Sequence, residues 1–375
     1  VTIDVVVLGG GVIGLAVARR SAALGLDVVV VDDRRPGQAS GVGAGMLAAV
    51  TELHHGEEAL LALNLASSEM YPGWVQELEA DTGMSTGYRQ CGTLIVARDA
   101  DDNAALDQTF EVQRGLGLDV ERLRSSGCRS IEPALASSIR GGIWVEGDHQ
   151  IDGQGLVEAL RADLARRGVA AVIGRAGSVT IERGSATGVR LDDGTFISAG
   201  SVVVACGSWS ARLDGLPPGL LPVRPVKGQL LRLRSRRGPL PIQRNVRGTD
   251  VYLVPRSDGR LIVGATVEEQ GEDIEPTAGA MYELLRAAYE LVPGITELAY
   301  VDTAVGLRPG TPDNAPLLGA TEVTGLIAAT GHFRNGILLA PITAQAIGEV
   351  LTGSGAPEVI QGFSPSRFHQ NRVAS

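Results

Sequence analysis

The residues best placed to do chemistry lie at the two ends of the chain. Gly9-Gly10-Gly11-Val12-Ile13-Gly14 stands near the start, and two segments stand near the end: Gly306-Leu307-Arg308-Pro309-Gly310-Thr311-Pro312-Asp313 and Gly331-His332-Phe333-Arg334-Asn335-Gly336-Ile337-Leu338-Leu339-Ala340-Pro341. Gly9 can take a tight turn, Gly11 lets a pyrophosphate approach the backbone, and Gly14 allows a helix to pack closely on a strand. Phosphates would sit on unpaired N–H groups at the positive end of that helix. Asp32, 23 residues after Gly9 and followed by Asp33, offers a carboxylate to ribose hydroxyls and would repel a 2′-phosphate, so FAD or NAD fits better than NADP. A dinucleotide site assembled from both termini points to FAD.

The elements that must position these residues are legible nearby. Val5 to Leu8 is a short apolar run, Val12 to Leu24 has helical spacing, and Val28 to Val31 is a second apolar strand ending at Asp32. Further on, the pattern predicts a helix from Glu57 to Ala80 broken or kinked at Pro72-Gly73, a strand at Leu94 to Ala97, and a helix from Ala104 to Leu116. A helix from Gln154 to Arg167, a strand at Ala171 to Ile173 and a hairpin around Arg183-Gly184 follow, then a buried strand at Val202 to Ala205. From Gln229 to Ala265 strands alternate with polar turns, which reads as an antiparallel sheet. The parallel pattern resumes at Leu326 to Ala329, and a last helix runs from Gly336 to Leu351. The chain is thus expected to leave its first domain and return: 1–85, 145–220 and 305–375 in a discontinuous Rossmann-type α/β domain for FAD, 86–144 and 221–304 in an α+β substrate domain.

Composition narrows the function classes. A chain of 375 residues exceeds the usual single core, and 44% hydrophobic with 20% charged residues describes a globular protein. A net charge of −10 without a basic stripe argues against nucleic acid and anionic membrane as partners. The residues before Gly9 already belong to a strand and leave no room for a signal peptide, and no apolar stretch is long enough for a transmembrane helix. Cys91, Cys128 and Cys206 are widely spaced and without a C-x-x-C pattern, so free thiols in a reducing cytoplasm are expected rather than disulfides or a metal site.

Taken together, Gly9 to Asp32, Ala39-Ser40 with Ala44-Gly45-Met46-Leu47, Val203 to Ser210, Val251 to Arg256, Gly264-Ala265-Thr266 and the two C-terminal segments resemble flavin-dependent amino-acid oxidases of the D-amino-acid oxidase superfamily. Within it, the chain resembles the glycine oxidases associated with thiamine thiazole synthesis. The resemblance implies that Ala39, Ser40, Ala44, Gly45 and Met46 wrap the pyrophosphate and flavin, that the Val203 to Ser210 segment with Gly207 and Trp209 belongs to the cofactor site, and that Val179 meets the adenine end through its backbone. It implies that His332 to Leu338 closes over the isoalloxazine. If Gly336 opens a helix, the dipole would favour negative charge at the flavin N1/C2=O locus; the alternative is a helix-start glycine without an electrostatic role.

By the same resemblance Arg308 holds the substrate carboxylate, for which a guanidinium fork is suited, and the Tyr252 hydroxyl supplements that grip unless the ring only packs. Arg334 could contact the carboxylate or order its loop, and His332 could lie beside the flavin or be structural. The implied reaction moves a hydride from Cα of glycine or an N-alkyl or N-carboxymethyl glycine to flavin N5. The imine hydrolyses to glyoxylate plus ammonia or a primary amine, and O2 takes the electrons as hydrogen peroxide. Some relatives attach FAD to a cysteine near the position of Gly306; this chain has none there, so noncovalent FAD is expected, and relatives are often oligomers. Gly41-Val42-Gly43, Ala49, Val267, Gly271-Glu272 and Asp250 depart from the usual pattern and permit a wider pocket. A flavin dehydrogenase with a quinone or protein acceptor, and a non-catalytic FAD-binding subunit, remain as alternatives.

Overall fold

The protein, described by a computed structural model over residues 3–54 and 56–368, is organised around two eight-stranded sheets. In the first, Leu317–Ala320, Leu326–Thr330, Phe196–Val204, Ile3–Leu8, Val28–Asp32 and Ala170–Ile173 lie in that spatial order, with Ala176–Glu182 and Ser185–Leu191 extending Phe196–Val204 as an antiparallel meander. The central strands pair in parallel, which requires both faces to be covered; Val6, Val7, Leu8, Val202, Val203 and Val204 are accordingly fully buried. Helices Val12–Ala23, Gly153–Arg166 and Ala340–Leu351 contribute to the cluster on one face.

The second sheet runs Ala299–Gly310, Arg224–Arg234, Arg260–Gly264, Tyr252–Pro255, Asn245–Arg247, Thr93–Ala97, Gly141–Val145, Glu121–Arg124. All its pairings are antiparallel except that of Asn245–Arg247 with Thr93–Ala97, which the alternating pattern did not reveal. The strand carrying Arg308 belongs to this sheet up to Gly310, past the expected return to the first domain at 305.

Two helices start elsewhere than expected, and the break allowed at Pro72-Gly73 does not occur: Glu58–Thr82 is one helix with Pro72 inside it. Proline in a helix interior costs about 3 kcal/mol, but Leu63, Ser67, Tyr71, Val75 and Leu78 form a buried stripe spanning both sides of it. At about 1.5–3 kcal/mol per buried large apolar side chain, packing outweighs the local penalty. The helix expected from Ala104 begins at Ala100, because Asp99 caps it by accepting from the Asp102 N–H at 2.9 Å. The last helix begins at Ala340, not Gly336; Gly336 to Leu339 form a turn in which the Leu339 N–H donates to Asn335 O at 2.8 Å. Among the described residues no helix is long and apolar enough to cross a membrane.

Candidate functional site

A cavity of about 610 Å³ runs between the two sheets. On the side of the first sheet it is built from glycines in tight contact. Gly9 has φ +109°, and a Cβ there would lie 2.4 Å from Ala205 O; a Cβ on Gly14 would lie 1.9 Å from Gly9 O. Neither position admits a side chain, so strand, turn and helix close up and the Gly9–Val12 backbone faces the cavity. Gly45, at φ +67°, is constrained in the same way by Ile151 O, 1.9 Å from a built Cβ. That places Ala44-Gly45-Met46 along the cavity wall, with Arg256 donating to Ala44 O at 2.6 Å.

Asp32 lies at the carboxyl end of its strand. Its Oδ1 accepts from Gln38 Nε2 at 2.9 Å, whereas Oδ2 is buried without a hydrogen-bond partner and has only Arg161 near it, at 3.6 Å. An orphaned carboxylate oxygen beside a glycine cradle fits the ribose and pyrophosphate of a dinucleotide. Asp33 instead pairs with Arg35, whose guanidinium lies 4.8 Å from the centre of the Trp209 ring. Ser40 acts by a route the sequence did not suggest: its Oγ accepts the Val12 N–H at 3.0 Å, so this first helical donor is already satisfied. Cys206 lines the cavity, and burial pushes its thiol up to about 12, which leaves it protonated and unreactive.

On the side of the second sheet, cross-strand register sets the site. Arg247 and Tyr252 are direct partners, and Tyr252 in turn lies opposite Gly264. A Cβ on Gly264 would lie 2.6 Å from the Tyr252 hydroxyl, and one on Gly228 would lie 2.3 Å from Arg308 Nη1. Two glycines therefore form the floor on which the tyrosine ring and the guanidinium rest. Arg308 Nη1 donates to Thr266 O at 2.9 Å and to Lys227 O at 3.4 Å. Burial raises the Tyr252 phenol, with the Arg308 charge acting in the opposite sense, so it remains a neutral hydrogen-bond donor.

Six arginines line the cavity, and among the described residues five have a carboxylate partner: Arg35 with Asp33, Arg175 with Asp192, Arg212 with Glu272, Arg247 with Glu52, and Arg334 with Glu52 and Glu57. Arg308 alone has no carboxylate; its partners are two backbone carbonyls and the Tyr252 hydroxyl. Arg334 thus orders its loop, with Nη2 2.8 Å from Glu57 Oε2 and Nε 3.3 Å from Glu52 Oε2. Glu52 is disfavoured by burial, but Arg247 and Arg334 outweigh that and hold its carboxyl below the usual range. His332 lines the cavity, is 3% exposed, shares a 3.0 Å hydrogen bond with Thr343 Oγ1, and is pushed down to about 3 by burial, so it is neutral. Among the described residues the cavity wall presents one arginine without a carboxylate partner, a phenol and the loop from His332 to Ile337.

The residues singled out from the sequence line this cavity with three exceptions. Gly14 sits behind the turn, as its packing role requires. Val179 lies in the meander, where its N–H donates to Asp214 O at 2.9 Å; Gly174 to Gly177 line the cavity in its place. Leu338 points into the core, and its carbonyl accepts from Ser67 Oγ at 2.6 Å. Sequence reasoning missed Glu52, His54 and Arg247. Arg247 was recoverable by counting back across the hairpin from Tyr252, but Glu52 carries no local signal.

A family model described as FAD dependent oxidoreductase matches residues 4–350. The chain is 40% identical over 378 residues to the bifunctional protein ThiO/ThiG of Synechocystis sp., covering 98% of this chain and 54% of that protein; it spans about half the length of such relatives. It is 35% identical over 371 residues to the glycine oxidase of Geobacillus kaustophilus, covering 97% of each. The crystal structure of glycine oxidase from Geobacillus kaustophilus superposes with a TM-score of 0.89 at 32% identity, covering 98% of this chain and 99% of that one.

Proposed function

The chain belongs to the FAD-dependent oxidoreductase family, and on that premise we propose that it oxidises glycine or an N-substituted glycine, with O2 as electron acceptor. Arg308 receives the substrate carboxylate, as the one cavity arginine without a carboxylate among the described residues; that observation carries the reading. A guanidinium already anchored to two carbonyls presents its remaining N–H groups in a fixed fork. Tyr252, seated on Gly264, donates a second hydrogen bond to the same carboxylate. With the carboxylate fixed, Cα is oriented toward the covering loop of His332 to Ile337, and orientation rather than proton transfer is what the protein contributes.

Bound FAD supplies the hydride acceptor. For glycine the balance is glycine plus O2 plus water to glyoxylate, ammonia and hydrogen peroxide, and an N-substituent leaves as the primary amine. Asp32 takes the ribose through its free Oδ2, and the Gly9–Ile13 turn takes the pyrophosphate. FAD is held without a covalent bond, as no cysteine stands at or near Gly306.

The test is anaerobic mixing of the FAD-loaded protein with glycine and sarcosine while flavin absorbance is followed. Bleaching, with peroxide formed on admitting air, is expected. Dye reduction without peroxide would make the protein a dehydrogenase, and no bleaching by any amino acid would remove the reading. Arg308→Leu should keep its FAD yet lose about 10²–10³-fold in kcat/KM, the equivalent of two charge-assisted hydrogen bonds; unchanged kinetics would dismiss the clamp.

A further inference from the structure

Glu52 is the carboxylate nearest to deciding what the site accepts. It is 13% exposed, faces the cavity, and is bonded to Arg247 and ion-paired with Arg334. Arg247 stands in direct register with Tyr252, and both the Glu52 and Arg247 charges act on the Tyr252 phenol alongside Arg308. One group therefore contains Arg308, Arg247 and Arg334 against Glu52 and Glu57. The other acidic residue at this mouth, Asp250, is taken by Arg98 at 3.0 Å, and His54 is held below the ordinary histidine range by partial desolvation and the Arg334 charge. The balance is a single positive charge, matched by a single substrate carboxylate.

We propose that Glu52 is a specificity-determining residue, which by occupying Arg247 and Arg334 confines the site to substrates with one carboxylate. The inference rests on the proposed oxidation of glycines at Arg308. A glycine bearing a neutral N-alkyl group satisfies Arg308 and leaves the rest of the group as it is. An N-carboxymethyl glycine brings a second anion into a partly buried place where both remaining guanidiniums are already engaged by Glu52, and desolvating an unpaired carboxylate there is unfavourable. Without the Glu52 charge the same two arginines become a second carboxylate receptor.

Two non-oxidisable ligands separate these cases: methoxyacetate, shaped like sarcosine, and diglycolate, shaped like iminodiacetate. Their binding is read from the perturbed flavin spectrum of the FAD-loaded protein. The native protein should prefer methoxyacetate. Glu52→Gln should move the affinity ratio toward diglycolate by about tenfold or more, the scale of one gained charge-assisted hydrogen bond, and Glu52→Asp should restore the native order. Adding Arg247→Gln to Glu52→Gln should erase the gain, which a merely structural effect on the loop would not do. An unchanged ratio in Glu52→Gln, or equal binding of the two ligands by the native protein, would overturn the proposal. Should Glu52→Gln fail to hold flavin, Arg247→Gln decides: it lowers the group to zero net charge and should weaken methoxyacetate, and undiminished binding refutes the charge argument. If neither ligand perturbs the native flavin and neither glycine nor sarcosine bleaches it, the glycine-oxidising function itself has failed and the inference falls with it.

Discussion

Arg308 depends on a residue with no side chain. Gly228 lies on the neighbouring strand, and a Cβ there would sit 2.3 Å from the guanidinium, a separation no real pair of atoms adopts. Gly228→Ala should therefore displace Arg308 without disturbing the core. Misplacing a positioning group by about an ångström costs up to about 10²-fold in rate, so kcat/KM for the substrate should fall by roughly 10–100-fold while FAD content and thermal midpoint hold; equal kinetics would show that the guanidinium is not set by this floor. The same scale shows what a sequence conceals. Arg308 was legible because its segment is distinctive, and Gly9 to Asp32 because strand, turn and helix are local. Glu52 was not, because an acidic residue in a loop before a helix reads as solvated surface, and its partner Arg247 is 195 residues away. Val179 does not itself line the cavity, whereas Gly177, two positions back in the same strand, does.

At the scale of elements, the loop from His332 to Ile337 is held by the long helix Glu58–Thr82. Tyr71 donates to Ile337 O at 2.6 Å and Ser67 to Leu338 O at 2.6 Å, while Arg334 reaches Glu57 just before the helix. This explains why the helix tolerates Pro72: its buried stripe also carries the groups that hold the loop. It also explains why the last helix starts late. The turn from Gly336 to Leu339 lets the carbonyls of Ile337 and Leu338 meet the long helix, whereas a regular helix from Gly336 would have turned them along its own axis. Tyr71→Phe keeps the ring contacts with Trp74 and Tyr88 but leaves Ile337 O with only the Ala340 N–H at 3.3 Å, a loss of about 0.5–1.5 kcal/mol. The expected result is a loop less firmly closed and FAD retained about fivefold or more less tightly in equilibrium dialysis; retention equal to the native protein would count against the loop as a cover.

For the whole molecule, the two sheets meet at the cavity and are stitched by a short covalent and hydrogen-bonded path. Asp32 Oδ1 accepts from Gln38 at 2.9 Å, Gln38 bridges to Leu307, and the Leu307 N–H donates to Gly37 O at 2.9 Å. Leu307 is the residue before Arg308. The groups proposed to grip the two ligands are therefore joined by two peptide steps, one backbone hydrogen bond and one side-chain amide. Such a tether predicts that occupancy of one site is felt at the other, and thermodynamics would make that influence mutual. A saturating monocarboxylate should slow the escape of flavin from the protein on dilution, and loading with flavin should sharpen carboxylate binding by the same factor. Gln38→Ala should bring that factor toward one. In the terms of a cell, the enzyme would keep its prosthetic group best while it has work to do and surrender it most readily when its substrate is scarce.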